Sequence, residues 1–212
     1  MAVQQESQKT STKERLIDTA IDLIWKSSYG AVSVDEICKA ADVRKGSFYH
    51  FFPSKIDLAV AAMDKAYSEF KCMMHELFDK SVPPVERFEK MMEYGLAHQE
   101  EAAKKYGMVC GCPFVSLASE MAPQDPQIRE KVEGIIMRKR RYYEDALRDM
   151  VDEGLIAADT DVEATAYKIY TFVMGQLMLA RIQNSLEPMK RDLRTGLFTL
   201  IGLDQSALKK SA

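Results

Sequence analysis

The chain has 212 residues and a formal net charge of −3, and its hydrophobic fraction of 47% and charged fraction of 29% are typical of folded globular proteins. This composition excludes disordered, collagen-like and membrane proteins. The acidic balance also excludes nucleic-acid binding by overall charge, so any such binding needs a local basic patch. We expect a cytoplasmic protein with no membrane association, because we find no apolar leader and no run of about 20 apolar residues.

Helices are predicted along the whole chain, because apolar residues recur at spacings of three and four and no stretch alternates with period two. We therefore predict an all-α protein. Residues 1–10 are polar and are expected to form a flexible tail. The first helix is predicted to begin at Ser11 or Thr12 and to end at Tyr29-Gly30, where glycine can adopt a left-handed cap.

Two short helices follow the first. Ser33 and Glu36 form a capping box that opens the second helix, which reaches only Ala41. The third is predicted near residues 44–51, since Pro53 disfavours a helical conformation at the residue before it. Two short helices joined by a turn of about three residues form the helix-turn-helix pattern, whose second helix enters the DNA major groove.

Longer helices account for the rest of the chain. Ser54 and Asp57 form a capping box for the fourth helix. Thr160 and Glu163 form another for the eighth, and Pro188 separates the last two helices. Six helices are predicted in this part, near residues 55–77, 85–105, 113–121, 126–153, 160–184 and 189–203, which gives about nine helices in total.

The third helix carries a local positive charge. Residues 43–56 hold three basic and no acidic side chains, although the chain is acidic overall. The apolar residues expected to pack the two short helices together are Ile37, Ala41, Val43 and Phe48. The residues then left on the outer face are Arg44, Lys45, Ser47, Tyr49 and His50. Cationic and hydroxyl groups of this kind suit guanine acceptors and phosphate oxygens.

Residues 33–55, SVDEICKAADVRKGSFYHFFPSK, resemble the helix-turn-helix signature of the tetracycline-repressor (TetR/AcrR) family. The resemblance covers about Lys13 to Leu58. The chain departs from the family pattern at Asp42, where a turn glycine is usual, and at Arg44 and Phe51. Aspartate tolerates a left-handed conformation, so we expect the turn to be retained.

The resemblance implies a helix-turn-helix DNA-binding domain at residues 11–58 and a role for individual residues. Phosphate contacts would come from Ser33, Tyr49, His50 and the amino end of the fourth helix at Lys55. Base or groove contacts would come from Arg44, Lys45, Gly46 and Ser47. The implied partner is double-stranded DNA with a pseudo-palindromic operator.

The resemblance also implies that residues 59–212 form an effector-binding and dimerisation bundle with a small-molecule effector. One short recognition helix covers only a few base pairs, so a homodimer that reads two half-sites is expected. We predict the dimer interface on the last two helices, with an ordinary intrachain core as the alternative. The interface residues would be Ala166, Ile169, Tyr170, Val173, Leu177, Leu193 and Leu197.

Thirteen methionines and nine tyrosines are available to line an effector pocket, although a plain core is the alternative. The candidates are Met91, Tyr94, Met121, Met137, Tyr143 and Met174, together with Cys110 and Cys112. Lys139 lies on an apolar stripe of its helix, which predicts a charge presented to a pocket or an interface.

The segment CGCP at residues 110–113 has two interpretations. If Pro113 is the first helical residue, Cys112 is the N-cap, where the helix dipole favours a reactive thiolate. A thiol sensor for electrophiles or oxidants would have this form, and so would a corner of small residues before a helix. A metal site is not predicted, because these cysteines have no ligand spacing to His75 or His98.

Together these patterns predict a homodimeric DNA-binding repressor that is released from its operator by a small molecule or by thiol modification. The alternative is a ligand-independent activator or a nucleoid-associated member of the same family. An enzyme is not predicted and no cofactor is expected, because we find no phosphate-binding glycine loop, nucleophile elbow or carboxylate–histidine metal motif.

Overall fold

The computed structural model describes residues 10–203, and within this range the chain forms nine α-helices and no β-strand. The prediction of an all-α fold with about nine helices is therefore confirmed. Apart from Thr10, the tail predicted at residues 1–10 lies outside the described residues. The helices are α1 (Thr12–Lys26), α2 (Val34–Ala40), α3 (Lys45–Phe51), α4 (Lys55–Leu77), α5 (Pro84–Tyr106), α6 (Pro113–Met121), α7 (Pro126–Asp152), α8 (Val162–Gln183) and α9 (Glu187–Ile201).

The backbone divides into two compact units, Met1–Ala66 and Tyr67–Ala212, and the long helix α4 supplies residues to both. None of the described helices combines the length and the hydropathy that are needed to cross a bilayer.

The first unit is built around α1 and the two short helices. Ser11 and Ser33 cap α1 and α2 through reciprocal hydrogen bonds with the glutamate three residues later. The core of this unit contains Leu16, Ala20, Ile37, Phe48 and Leu58, all buried. The single tryptophan of the chain, Trp25, lies on the buried face of α1.

One predicted boundary in this unit is wrong. Helix α1 ends at Lys26 and is capped by Ser27, whose N–H donates to the carbonyl of Leu23. The residues Tyr29-Gly30 follow it in a turn, where the Tyr29 side chain is buried. The helix ends before Tyr29 because the Tyr29 side chain is buried from a turn conformation.

The second unit begins with helix ends that follow standard signals. Gly107 closes α5 with a φ of 75°, a conformation that favours glycine. Cys112 is the N-cap of α6 with Pro113 behind it, and Asp125 caps α7 by accepting from the N–H of Ile128. These three boundaries agree with the sequence predictions.

Two predictions for the last helices need correction. Asp161, not Thr160, caps α8 by accepting from the N–H of Ala164. The Thr160 hydroxyl instead donates to the carbonyl of Ala157 at 2.6 Å, so it closes the preceding turn. Pro188 does not precede α9 but lies in its first turn, where a missing N–H costs nothing.

The core of the second unit is formed mainly by α5, α7, α8 and α9. Phe88, Leu147 and Phe198 are fully buried in it. An ion pair between the buried Arg87 and the half-buried Asp149 (2.5 Å) connects α5 to α7. These contacts fix the helices that carry the predicted pocket and interface residues.

Candidate functional site

The orientation of α3 is set by the turn that precedes it. Asp42 adopts a left-handed conformation with a φ of 52°, as predicted for the position where the family has glycine. The guanidinium of Arg15 donates to the Asp42 carbonyl at 3.2 Å, and the N–H of Val43 donates to the carbonyl of Cys38 at 2.9 Å. Phe48 is fully buried on the inner side of α3. These contacts leave the opposite side of α3 on the surface.

The outer side of α3 carries the residues that were predicted to contact DNA. Arg44, Lys45, Gly46, Tyr49 and His50 are exposed, whereas Ser47 is half-buried. The ring of Tyr49 packs edge-to-face on Phe48 with 5.1 Å between the ring centroids, which restricts the direction of its hydroxyl. This face combines cations, hydroxyls and a glycine on one short helix, as a groove-binding helix requires.

Arg44 and Lys45 differ in how the free protein holds them. Arg44 is the N-cap of α3 but makes no side-chain cap hydrogen bond, so its guanidinium is not used to close the helix. The ammonium of Lys45 pairs with Asp35 at 2.8 Å, and this hydrogen bond raises the pKa of Lys45. Both partners are mostly exposed, so the pair is weak, and a DNA phosphate can replace Asp35 at small cost.

Gly46 has no role in packing within the chain. A Cβ placed on Gly46 would have no neighbouring atom within 4 Å. Glycine at this position therefore leaves open space on the exposed face of α3. Such space suits close approach by another molecule.

Ser33 and Lys55 are partly committed to the fold. The Ser33 hydroxyl accepts from the N–H of Glu36 (3.1 Å) and donates to its carboxylate (2.7 Å), and the hydrogen bonds from Ser33 lower the pKa of Glu36. The Lys55 ammonium donates to the carbonyl of Tyr29 at 2.5 Å and lies 3.9 Å from the centroid of the Tyr29 ring. The predicted phosphate contact at Lys55 is thus left to the amino end of α4.

Comparison with known proteins identifies the family. Residues 16–62 match the family model described as "Bacterial regulatory proteins, tetR family". Residues 84–195, more than half of the chain, match the model described as "Tetracyclin repressor-like, C-terminal domain". The chain belongs to the TetR family. It is therefore a DNA-binding transcriptional regulator, and both the resemblance and the predicted function class are confirmed.

Individual TetR-family proteins are similar over most of the chain. The transcriptional regulator AcuR of Cereibacter sphaeroides is 29% identical over 186 residues, which cover 86% of this chain and 82% of that protein. The transcriptional repressor NemR of Escherichia coli strain K12 is 23% identical over 185 residues, which cover 86% of this chain and 90% of NemR.

Solved structures give the same fold. A regulatory protein TetR from Rhodobacter sphaeroides aligns with a TM-score of 0.77 at 26% identity, covering 90% of this chain and 97% of that chain. The reduced form of E. coli NemR aligns with a TM-score of 0.72 at 22% identity, covering 90% of this chain and 97% of that chain. The N-terminal helix-turn-helix and the C-terminal helical bundle of the TetR fold are thus both present.

The residues predicted for the dimer interface contribute mainly to the core of the single chain. Six of the seven are buried in the core of the chain itself, and Leu177 packs against the same core. A side chain that is already buried has no area left to offer a second chain. The buried six are Ala166, Ile169, Tyr170, Val173, Leu193 and Leu197.

The predicted pocket residues fall into two groups. Met91, Cys110, Cys112 and Tyr143 are buried, and Met121 and Met174 are half-buried. Tyr94 and Met137 are 42% and 53% exposed, so they lie at the surface of their helices and not in the core. Tyr94 instead stacks on His98 at the surface of α5.

The loop that carries the two cysteines is held by residues that the sequence did not single out. The amide of Gln99, itself buried, accepts from the N–H of Gly111 (2.9 Å) and donates to its carbonyl (3.2 Å). The guanidinium of Arg181 donates to the carbonyl of Cys110 at 2.6 Å. The sequence signal that could have indicated this role is Gln99 itself, a polar residue at an inward-facing position of α5. This loop therefore fixes Cys112 at the start of α6, with both thiols buried.

Proposed function

We propose that this protein is a homodimeric repressor that binds a pseudo-palindromic operator through the outer face of α3. The observation that carries the proposal is that this face presents Arg44, Lys45 and Gly46 with no packing role for the glycine. Ser47 would complete the groove contacts, and the phosphate contacts would come from Ser33, Tyr49, His50 and the amino end of α4 at Lys55. The protein acts in the cytoplasm, where bacterial DNA is.

The dimer forms through the exposed side of α8. Three large apolar residues on this helix, Tyr167, Leu179 and Ile182, are 55%, 51% and 71% exposed in the single chain. They lie on one stripe with a spacing of three to four residues, which we call the α8 stripe; it consists of Tyr167, Thr171, Gly175, Leu179 and Ile182. An exposed apolar stripe of this length supports a contact with a second copy of the same helix.

Release from the operator follows from binding at the second unit. An effector must bind the arrangement that does not fit DNA more tightly than the one that does, because a ligand shifts an equilibrium only by its differential affinity. Helix α4 contributes Lys55–Ala66 to the first unit and Tyr67–Leu77 to the second. We propose that this continuous helix transmits the change to the position of α3.

Thiol modification at Cys112 is the second route to release. NemR, a relative of this chain, is named a repressor, and one of its solved structures is of a reduced form. Cys112 is the N-cap of α6, and the thiolate of a cysteine is the nucleophile toward electrophiles. We expect N-ethylmaleimide to weaken operator binding by wild-type protein and to have little effect on Cys112→Ser.

The matched controls for the thiol route are Cys110→Ser and Cys72→Ser, since Cys110 is buried nearby and Cys72 is exposed. Fluorescence anisotropy of an operator duplex before and after treatment measures the effect, and mass spectrometry assigns the modified residue. If the modified wild-type protein binds its operator with unchanged affinity, the thiol route is excluded.

The test of DNA recognition is selection of genomic fragments by the purified protein, followed by titration of the enriched duplex. We expect Lys45→Ala with Tyr49→Phe to weaken operator binding about tenfold or more and to reduce the salt dependence, since two phosphate or groove contacts are lost. The matched control is Lys104→Ala with Tyr94→Phe, an exposed pair in the second unit.

Two outcomes would contradict the repressor proposal. No enrichment of any fragment over bulk DNA would exclude operator recognition. Uniform binding to all fragments, with no ligand that releases them, would favour the ligand-independent, nucleoid-associated alternative.

A further inference from the structure

Lys139 places an unpaired cation inside the second unit. This residue of α7 is only 4% exposed, and its ammonium lies 3.8 Å from the ring centroid of Phe70 and 4.6 Å from that of Phe114. It forms no hydrogen bond or ion pair with any residue in the range 10–203. Burial lowers the pKa of Lys139, because a charged ammonium is poorly solvated there. The two aromatic faces offset part of this cost but do not supply a counter-ion.

Two phenols are buried in the same part of the second unit. Tyr143, one turn after Lys139 on α7, and Tyr170 on α8 are almost fully buried, and neither hydroxyl has a hydrogen-bond partner among the described residues. Burial raises the pKa of both phenols, so they remain hydroxyl donors at neutral pH. A charge on Cys112 would act on all three groups, which places the thiol nearby as well.

None of these three polar groups is completely enclosed. In the described part of the chain, Nε of Arg140 is the one side-chain nitrogen or oxygen that is both fully enclosed and without a hydrogen-bond partner. The Lys139 ammonium and the hydroxyls of Tyr143 and Tyr170 also lack partners but are not fully enclosed. A water-sized molecule can therefore reach each of them. Buried donors that lack a protein partner and remain accessible are the usual sign of a ligand or of bound water.

We propose that Lys139, Tyr143 and Tyr170 bind the carboxylate of a small organic acid with an apolar tail, and that this acid is the effector. We call these three residues the carboxylate site. An ammonium supplies three donors and each phenol one, which complements a group that only accepts hydrogen bonds. The identity of the acid as effector rests on the proposed repressor function, whereas its binding does not.

The surroundings favour a carboxylate over a more highly charged anion. Phe70 and Phe114 provide aromatic surface next to the Lys139 ammonium, which suits an apolar tail. A doubly charged phosphate would bring two negative charges to one cation in an aromatic environment, and its desolvation would not be compensated.

The test is isothermal titration calorimetry of the full-length protein with acetate, hexanoate and benzoate, each paired with its neutral amide. We expect at least one acid to bind at least about tenfold more tightly than its amide, because only the acid pairs with the ammonium. Lys139→Met should remove this preference, Tyr143→Phe and Tyr170→Phe should each weaken acid binding about threefold or more, and the exposed control Lys104→Met should behave as wild type.

Three results would overturn the proposal. In the first, no acid binds better than its amide. In the second, Lys139→Met retains wild-type preference for the acid. In the third, acids bind only to Cys112→Ser, which would mean that the Cys112 thiolate is the counter-ion of Lys139. If Lys139→Met does not fold, the acid–amide comparison and the two phenylalanine variants still test whether the carboxylate site exists.

Fragment selection and calorimetry on the same protein preparation test the repressor function and the carboxylate site independently. Enrichment of a genomic fragment without acid binding would support the repressor and overturn the carboxylate site. Acid binding that depends on Lys139, without enrichment of any fragment, would support the site and contradict the repressor.

Discussion

At the scale of a single residue, Gly46 is a position where DNA binding and protein stability favour different side chains. Glycine within a helix costs roughly 1 kcal/mol relative to alanine. The structure gives no packing reason for this cost, since a Cβ at this position would have no atom within 4 Å apart from the adjacent residues and the backbone of its own helix. A close contact with DNA would explain why a seven-residue recognition helix contains a glycine.

We expect Gly46→Ala to stabilise the protein by about 0.5–1 kcal/mol and to weaken operator binding about tenfold, because the added methyl group occupies space that DNA would use. Denaturant unfolding and fluorescence anisotropy measure the two effects. The control is Gly95→Ala in α5, where a Cβ would also meet no atom. If Gly46→Ala binds the operator as tightly as Gly95→Ala does, the groove contact at this position is wrong.

Burial of the charged Lys139 side chain destabilises the unliganded protein. Its pKa is lowered in the folded state, so the unfolded chain holds the proton more tightly between that pKa and the ordinary value of 10.5. The cost of burying the charge is thus complete below the folded pKa and disappears as the pH rises toward 10.5.

Lys139→Met should therefore raise the free energy of unfolding at pH 7 by roughly 1 kcal/mol or more, and this gain should shrink at pH 9.5. Both proteins contain the nearby Cys112, Tyr143 and Tyr170, so the contributions of these groups largely cancel in the difference. Urea unfolding at the two pH values is the measurement. A gain that grows with pH would show that Lys139 is neutralised by another group.

At the scale of the element, helix boundaries could be predicted where a single residue type enforces them. Proline and left-handed glycine define the ends of α5 and α6 at Gly107 and Pro113, and both were predicted. The prediction failed at Tyr29-Gly30 and Thr160, where local patterns were consistent with two boundaries. Tertiary packing of Tyr29 decided the first case, and the stronger aspartate cap at the next position decided the second.

The loop before α6 gives a prediction at this scale. Gly111 has a φ of 67°, and a Cβ there would lie 3.1 Å from the backbone oxygen of Leu177 in α8. Gly111→Ala should therefore destabilise the protein by about 2–3 kcal/mol, from left-handed strain and from crowding together.

The matched control for the loop is Gly107→Ala, which has a similar φ of 75° but no atom within 4 Å. Gly107→Ala should lower the free energy of unfolding only by the left-handed strain, about 1 kcal/mol, as measured by thermal or denaturant unfolding of both variants. Equal losses in the two variants would show that the loop moves away from α8 without cost.

At the scale of the whole molecule, α8 serves both the core and the proposed dimer. Its inner side contributes Ile169 and Val173 to the core, while the α8 stripe leaves Leu179 and Ile182 exposed. Because apolar residues occur on both sides, periodicity does not tell which side faces the chain's own core. The sequence therefore predicted an interface on α8 and α9 but selected residues of their inner sides, whereas the polar outer face of α3 could be predicted from spacing alone.

We expect Leu179→Glu with Ile182→Glu to convert the dimer to a folded monomer, since two charges in an apolar interface are not compensated. Sedimentation velocity measures the mass, and operator affinity should fall with it. A single Leu155→Glu substitution, at another exposed apolar residue, is the control and should leave the dimer intact. A double variant that stays dimeric would mean that the copies associate through another surface.

The position of Trp25 gives this protein a built-in optical reporter. It is the single tryptophan of the chain and lies in the buried face of α1, so the unit Tyr67–Ala212 contains none. For a ligand that does not absorb at the tryptophan wavelengths, a change in emission reports a change in the surroundings of Trp25 in the first unit. The intrinsic fluorescence therefore distinguishes a ligand that merely binds from one whose signal arrives at the DNA-binding unit, without any label.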